Sequence, residues 1–382
     1  MDEYSFIKKK NEEEEKRKKK GFFAIIADRM KHGRLLFLLV AFLLTLIGLT
    51  TSTYAWFTSN YTVSVQQIDV NVSSGSGIQI STNAETWKSM ITQADITTGY
   101  TGAINQIPAA ADQINPVSTV KEVYVNATDG TGNAGSGPSA GLHMYKGTIV
   151  NDESTGVSYL NTESQKDGTD INYIAFDLFL KLDFRESGNK QIYLTSNTGI
   201  TTATGGPNTF IEYAGRMGFV IQGSTASTTD PADMRALKGT TGSTVLIYEP
   251  NYDVHTNNGL VNARDNYNIT GYQTSGNANA VPYYGVKAAF AYDSTVPNSG
   301  VVLSSTDSSK FAQVTPDLKT TISNNQNFAF TQLPVGVTKI RVYMWVEGQD
   351  IDCENTASGG KISFNLGFSL DAPSSPSPTA TA

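Results

Sequence analysis

Residues 174–184 read IAFDLFLKLDF, and this stretch decides the fold. Apolar side chains occupy every second position in it: Phe176, Leu178, Leu180, Leu182 and Phe184. Because successive side chains of a strand point to opposite faces of a sheet, the spacing predicts a central β-strand with one apolar face. Residues 338–346 repeat the pattern in TKIRVYMWV, where apolar residues alternate with Arg341, Tyr343 and Trp345.

The same period of two recurs along the chain, whereas a helical period is nearly absent. Further strands are predicted at residues 61–72, 78–81, 123–125, 142–145, 191–194, 218–222, 244–248, 286–292, 327–330 and 361–370. Short helices are predicted at residues 89–96 and 230–237. Regular turns without an alternation of strands and helices predict an all-β body with a β-sandwich or jelly-roll-like fold.

The connections between these strands are rich in Gly, Ser, Thr and Asn. The connector at residues 73–77 reads SSGSG, which predicts that the first two strands form a hairpin. The alternation within the first strand slips at Gln66 and Gln67, which predicts a bulge. Surface loops are predicted at residues 127–138, 197–209, 223–231 and 256–280.

The composition is typical of an exported protein without disulfides. Only 16% of the 382 residues are charged, against about 25% in an average soluble domain. Cys353 is the single cysteine, so no intramolecular disulfide can form. Such a chain must be stabilised by core burial, by a metal ion or by assembly.

Charge is divided unevenly along the chain. The first 34 residues contain eleven Lys and Arg against seven Asp and Glu, a net charge of +4, and the remainder contains 17 against 28, a net charge of −11. The apolar run LLFLLVAFLLTLIGL follows at residues 35–49. The positive-inside rule therefore predicts a cytoplasmic segment at residues 1–34, a membrane segment at 35–55 and an exported body at 56–370. The acidic body excludes nucleic acid as a partner, and residues 371–382 are expected to be a disordered tail.

Two interpretations of the membrane segment remain open. As a cleaved signal peptide, it presents the small residues Thr53 and Ala55 at the positions that a signal peptidase reads, and Trp56 would begin the mature chain. As an uncleaved transmembrane helix, it would anchor the body to the outside of the cell membrane. The predicted localisation is accordingly the cell membrane with an extracellular body, or a secreted or cell-surface protein after cleavage.

Two segments carry a resemblance to a known family. The junction YAWFTSN at residues 54–60, which leads from the apolar run into the first strand, resembles the start of the TasA/camelysin family of Firmicute surface proteins. Residues 342–353 and 362–368 are similar to the closing strands of Firmicute exported proteins with the same start. The resemblance implies processing by a dedicated signal peptidase and a role as a subunit of biofilm fibres.

Catalytic motifs are not evident in the exported body. Its two histidines, His143 and His255, lie in no HExxH pattern. The one G-x-S-x-G match, GPSAG at residues 137–141, leads into a predicted strand, whereas a nucleophile elbow leads into a helix. We therefore predict that the protein is not an enzyme and that both histidines are polar surface groups. An exported hydrolase is the least favoured alternative.

Acidic residues after the strand at 338–346 suggest one metal site. Calcium prefers carboxylate oxygens in a flexible loop, and four candidates follow one another closely: Glu347, Asp350, Asp352 and Glu354. A weaker candidate set is Asn126, Asp129 and Asn133. Neither set has EF-hand spacing, so solvated carboxylates are the competing interpretation. Their charge is expected to raise the pKa of the Cys353 thiol.

The sequence thus predicts a structural surface protein, either a subunit of fibres and biofilm matrix or an adhesin. Its strand at residues 61–72 could pair with the sheet edge of a second copy, because strand addition makes few demands on sequence. The alternative is a module that binds a surface glycan through tyrosines, for which seven are candidates: Tyr213, Tyr248, Tyr252, Tyr267, Tyr272, Tyr283 and Tyr284.

Overall fold

The computed structural model describes a large part of residues 63–372. The described residues are 63–72, 77–107, 113–125, 139–152, 154, 156–168, 172–183, 187–250, 252–265, 281, 283–293, 295–296, 301–302, 308–320, 328–354 and 357–372. All of them belong to one compact unit, Tyr54–Ala382. The predicted membrane segment and the processing residues Thr53, Ala55 and Trp56 lie outside the described residues.

Most of the described chain is β-strand. The strands are Val63–Val72 (β1), Ile78–Ser81 (β2), Met90–Thr92 (β3), Asn105–Gln106 (β4), Gln113–Ile114 (β5), Val117–Ser118 (β6), Val123–Val125 (β7), Ala140–Leu142 (β8), Met144–Asp152 (β9), Val157–Gln165 (β10), Ile174–Leu182 (β11), Asn189–Leu194 (β12), Gly199–Thr202 (β13), Gly215–Thr225 (β14), Val245–Glu249 (β15), Tyr283–Val286 (β16), Val301–Val302 (β17), Phe311–Val314 (β18), Leu318–Lys319 (β19), Phe328–Pro334 (β20), Gly336–Val346 (β21) and Lys361–Ser369 (β22). The helices are Gln93–Thr98 (α1), Pro231–Arg235 (α2), Asn257–Asp265 (α3) and a 3-10 helix, Ile211–Ala214.

The strands form two large sheets and three smaller groups. Sheet A has the order β20-β12-β22-β1-β3, with β13 also on β22 and β5 also on β1. Sheet B has the order β19-β15-β14-β21-β11-β2, with β4 also on β11. Strands β17, β10, β9 and β6 form a third sheet, and β16-β18 and β7-β8 form pairs. The all-β prediction is confirmed.

Strand β11, which contains most of residues 174–184, lies inside sheet B, between β21 on one side and the short strands β2 and β4 on the other. Strand β11 pairs antiparallel with β21, so that Leu178 faces Ile340 across the ladder. The predicted apolar face is buried, and it packs with the apolar residues of β1 and β22 from sheet A in one core cluster. Phe184, at the end of the predicted strand, lies outside the described residues. The two sheets therefore face each other across a shared core.

The opposite face of sheet B is also buried. Tyr173, Ala175, Tyr343 and Trp345 pack there against residues of β6, β8, β9, β16 and β18. Because both faces of β21 are covered, every residue of this strand is buried, including Lys339 and Arg341. Charged side chains inside a dry layer must be paired, and this requirement organises the polar clusters described below.

The predicted hairpin of the first two strands is wrong. Strand β1 lies in sheet A, where it pairs parallel with β22 and antiparallel with β3 and β5. Strand β2 pairs with β11 in sheet B. The apolar residues of both strands belong to the same core, so the chain crosses from one sheet to the other instead of turning back. The predicted bulge is confirmed, because the register with β22 shifts between Val65 and Gln67.

Several predicted loops contain secondary structure. The predicted loop at 197–209 contains β13, in which Ile200 is buried, and the predicted loop at 256–280 begins with α3. The predicted helix at 89–96 is instead β3 followed by α1, and the helix predicted at 230–237 is the shorter α2. None of the helices in the described ranges is long and apolar enough to cross a membrane.

Candidate functional sites

The first candidate site is the seam between β1 and β22, the first and last strands of the described body. The two strands run parallel from Ser64 opposite Lys361 to Val72 opposite Phe368. Buried apolar side chains of β1 line the seam: Val63, Val65, Ile68, Val70 and Val72. They pack against buried residues of β22, namely Ile362, Phe364, Leu366 and Phe368. Each such side chain contributes about 1.5–3 kcal/mol of transfer free energy when it is fully buried.

The outer face of the seam is polar and fixes the register. The Asn71 side-chain amide donates a hydrogen bond to Asn365 Oδ1 at 3.0 Å. A Cβ atom at Gly367 would clash with Thr195 Oγ1 and would lie 2.9 Å from Asn71 Oδ1, so this position accommodates only glycine without rearrangement. The seam thus combines an apolar inner face with a specific polar contact on the outside, which favours one alignment of the two strands.

The second candidate site contains the predicted calcium ligands. Glu347, Asp350, Asp352 and Glu354 follow β21, but all four are buried, so the interpretation as solvated carboxylates is wrong. The reason is local: the Glu347 amide donates to the carbonyl of Ala214 at 2.8 Å, and the Gly348 amide donates to that of Val117 at 2.9 Å. These backbone bonds hold the segment inside the body rather than at its surface. The weaker set, Asn126, Asp129 and Asn133, lies outside the described residues.

A buried arginine that the sequence analysis did not single out neutralises part of this acidic segment. The Arg216 guanidinium on β14 is fully buried, and its Nη2 donates to Glu249 Oε1 at 2.6 Å and to Asp350 Oδ2 at 2.5 Å. Its Nη1 donates to the carbonyl oxygens of Tyr213 and Gly215, each at 2.9 Å. Arg216 therefore joins three segments that are distant in sequence.

A histidine completes the cluster. His255 Nδ1 lies 2.6 Å from Asp352 Oδ2, and Asp352 Oδ1 accepts hydrogen bonds from the Thr256 amide at 2.9 Å and the Thr256 hydroxyl at 2.8 Å. The His255 side chain is 1% exposed, so the prediction that it is a surface group is wrong. His143, in contrast, is half-buried and stacks on Tyr124 with ring centroids 4.7 Å apart.

We name this group of side chains the acidic cluster. Its members are Glu249, Glu347, Asp350, Asp352 and Glu354, together with Arg216 and His255. Burial shifts the pKa values of carboxyl groups within it. Desolvation raises the pKa of Glu249 to about 7, although Arg216 opposes the shift. Desolvation likewise raises the pKa of Glu347 to about 7, against hydrogen bonds that favour its ionised form. Burial, helped by nearby carboxylates such as Asp350, also raises the pKa of the Cys353 thiol, in the predicted direction. The cluster therefore holds protons or requires a cation.

A second buried network on sheet B is balanced in charge. Asp177 Oδ1 accepts a hydrogen bond from Arg341 Nε at 3.0 Å, and its Oδ2 lies 3.2 Å from Lys339 Nζ. Asp167 Oδ2 lies 3.4 Å from Arg341 Nη1 and accepts a hydrogen bond from the Tyr343 hydroxyl at 2.6 Å. Although desolvation acts to raise the pKa of Asp177, the charges of Arg341 and Lys339 outweigh it and lower that pKa to about 2.

This network predicts a defined pH dependence. The lowered pKa of Asp177 contributes stability that is present above its unfolded pKa and is lost as the pH falls towards 2. We expect Asp177→Asn to cost about 3–5 kcal/mol at pH 7, because it leaves buried cations without their carboxylate. The difference in free energy of unfolding between this variant and the parent should shrink as the pH falls from 5 to 2, as measured by denaturant unfolding.

Asp183 supplies the control for this measurement, because its carboxylate is 67% exposed and lies 3.8 Å from Lys181 Nζ. Asp183→Asn should change the free energy of unfolding by less than about 1 kcal/mol at every pH. An Asp177→Asn difference that does not vary with pH would show that this carboxylate is not held ionised by its partners.

The tyrosines proposed for glycan binding do not share one surface. Tyr248 and Tyr283 are buried in the core, which removes them from contact with a sugar. Tyr213, Tyr252 and Tyr284 are half-buried. The remaining two candidates, Tyr267 and Tyr272, lie outside the described residues. Glycan binding stays a prediction.

Comparison of the chain with family models, curated proteins and solved structures finds no match. The resemblance to the TasA/camelysin family therefore stays a prediction that rests on the junction at residues 54–60 and the closing segments.

Proposed function

We propose that this chain is a non-enzymatic bacterial surface protein, a β-sandwich body exported through residues 35–55, that assembles into fibres or matrix by exchanging its first strand between copies. The exported body would remain at the membrane or be released after Ala55. Adhesion at the cell surface is compatible with the same assembly. The calcium ligands predicted from sequence play no part in this function.

The observation that carries the proposal is the place of β1 in sheet A. This strand is the first described element after the apolar segment, and only residues 56–62 separate it from the predicted cleavage point. It lies inside the sheet, between β22 on one side and β3 and β5 on the other. Its long parallel partner, β22, is reached only after the whole body has been traversed, so no tight turn ties the two strands together.

Exchange of such a strand preserves every contact of the seam. The β1 strand of a second copy would bury the same apolar side chains and form the same ladder, as in domain swapping. The single folded chain and the assembly with exchanged strands then differ in the conformation of the connector at 73–77 and in the entropy of association. Because the entropic cost of association falls as the concentration of chains rises, crowding of exported chains at a membrane surface favours the assembled state.

Electron microscopy of the purified chain beginning at Trp56 tests the proposal. We expect filaments that form above a threshold concentration, and we expect deletion of residues 56–73 to abolish them. A peptide of residues 56–73 should bind the shortened body with a stoichiometry of one to one. It should also raise the melting temperature of that body, since it occupies the position that β1 leaves empty in sheet A.

Two substitutions within β1 supply matched variants. Val70 is fully buried in the seam, so Val70→Asp should prevent assembly, whereas Asp69→Ala at the neighbouring half-buried position should allow it. Filaments that persist after deletion of residues 56–73, or a mature chain that stays monomeric at high concentration, would contradict the proposal.

A further inference from the structure

Three metal-binding side chains converge within the acidic cluster. One donor atom each from His255, Asp350 and Asp352 lies within 4.8 Å of the other two. The side chains are almost completely buried, with exposed fractions of 1% for His255, 2% for Asp350 and 0% for Asp352. They come from two segments, the loop before α3 and the segment after β21, that are nearly a hundred residues apart in the chain.

The imidazole of His255 is incompletely satisfied. Its Nδ1 contacts Asp352, but its Nε2 is buried and has no hydrogen-bond partner among the described residues. A buried polar atom in this condition costs roughly 1–3 kcal/mol. A neutral imidazole next to two carboxylates is also a common donor set for a metal ion. The unsatisfied nitrogen is thus an observation independent of the acidic residues, and it points to a missing ligand.

The charge of the acidic cluster points in the same direction. Four of its carboxyl groups belong to Glu249, Glu347, Asp350 and Asp352, and all four are buried. Among the described residues that contact them, Arg216 and His255 are the buried groups that can carry positive charge. Buried carboxylates in excess of their cations cost several kcal/mol each unless they are protonated or bind a cation. A divalent ion would offset two of them.

Neighbouring groups already orient the donors. Arg216 holds Asp350 through Oδ2, while Asp350 Oδ1 accepts a hydrogen bond from the Asp352 amide at 2.8 Å. Thr256 holds Asp352 through Oδ1. Contacts of this kind fix the direction of a ligand and support metal affinity.

We propose that His255, Asp350 and Asp352 bind one divalent transition-metal ion, of which Zn²⁺ is the representative. One imidazole nitrogen with two carboxylate oxygens suits Zn²⁺, whereas Ca²⁺ takes six to eight oxygen ligands. Glu347 is not among the described residues whose donor atoms converge with those of these three. The ion would join the start of α3 to the end of β21, as a disulfide does in other exported proteins.

Metal analysis of the intact exported chain tests this site. We expect the chain, after treatment with a chelator and dialysis against Zn²⁺, to retain about one ion per molecule and to melt at a higher temperature than the metal-free form. Co²⁺ in place of Zn²⁺ should give the visible absorption of a site with nitrogen and oxygen ligands. Ca²⁺ at the same concentration should produce neither effect.

Variants of the two described histidines separate the site from non-specific binding. His255→Ala and Asp352→Asn should each weaken Zn²⁺ binding at least tenfold, and His143→Ala should leave it unchanged. The proposal is overturned if the unaltered chain retains no Zn²⁺ and shows no shift in melting, if Ca²⁺ binds in its place, or if His255→Ala binds Zn²⁺ as tightly as the parent. Since the first two results come from the unaltered chain, misfolding of a variant cannot obscure them.

Discussion

A chain that carries Leu180→Asp is expected to lose about 5 kcal/mol or more of stability, enough to unfold much of the protein at room temperature. Leu180 is fully buried on β11, between Ile80 on one neighbouring strand and Thr338 on the other. The substitution removes an apolar side chain from the core shared by both sheets and places a carboxylate there without a partner.

Denaturant unfolding followed by tryptophan fluorescence and circular dichroism measures this loss. Met90→Asp is the matched control, because Met90 is 55% exposed on β3. It introduces the same charge and should change the free energy of unfolding by less than about 1 kcal/mol. If Leu180→Asp and the parent unfold at the same denaturant concentration, the face of β11 that carries Leu180 is not buried in sheet B.

The second large effect is expected at the acidic cluster. Arg216→Met should cost about 3–5 kcal/mol, measured in the presence of a chelator, because it leaves Glu249 and Asp350 buried without their cation. Met has a similar length and fills the apolar part of the space. Adding Glu249→Leu to the same chain should recover part of the loss, since an apolar side chain then replaces one stranded carboxyl.

A surface ion pair provides the comparison for Arg216. Lys88 and Asp95 lie 2.5 Å apart, but the Lys88 side chain is 42% exposed. Lys88→Met should therefore cost less than about 1 kcal/mol. If Arg216→Met is no more costly than Lys88→Met, the guanidinium is not the buried counter-ion of the acidic segment.

The sequence reveals the strands of this fold better than their pairing. The period of two at β11 and β21 identifies both strands, because a face with every second residue apolar must be buried. It does not show that the alternate face of β21, with Arg341, Tyr343 and Trp345, is buried as well. Nor does it show that β1 and β2 join different sheets, since a short Gly-rich connector fits a hairpin and a crossing equally well.

The candidate metal ligands illustrate the same limit. Asp350 and Asp352 stand out in sequence because carboxylates cluster after a strand, but a cluster of charges is usually solvated. Their burial depends on Arg216 and His255, which lie about a hundred residues or more earlier and carry no signal of their own. Partners brought together only by tertiary structure cannot be inferred from local spacing.

Disulfide trapping between separate chains tests the exchange of β1 most directly. Asp69 lies opposite Asn365 in the parallel register, and strands ~4.8 Å apart allow a disulfide. In a Cys353→Ala background, one chain would carry Asp69→Cys and a differently tagged chain Asn365→Cys. A third chain with Lys361→Cys, which lies opposite Ser64 instead, is the control for register.

We predict that mixed filaments of the Asp69→Cys and Asn365→Cys chains, once oxidised, yield covalent dimers containing both tags. Mixtures of Asp69→Cys with Lys361→Cys should yield none. Covalent dimers between chains can arise in this register only when β1 of one copy lies beside β22 of another. Filaments that give no dimer between tagged chains, while a single chain with both Asp69→Cys and Asn365→Cys closes an internal disulfide, would contradict strand exchange.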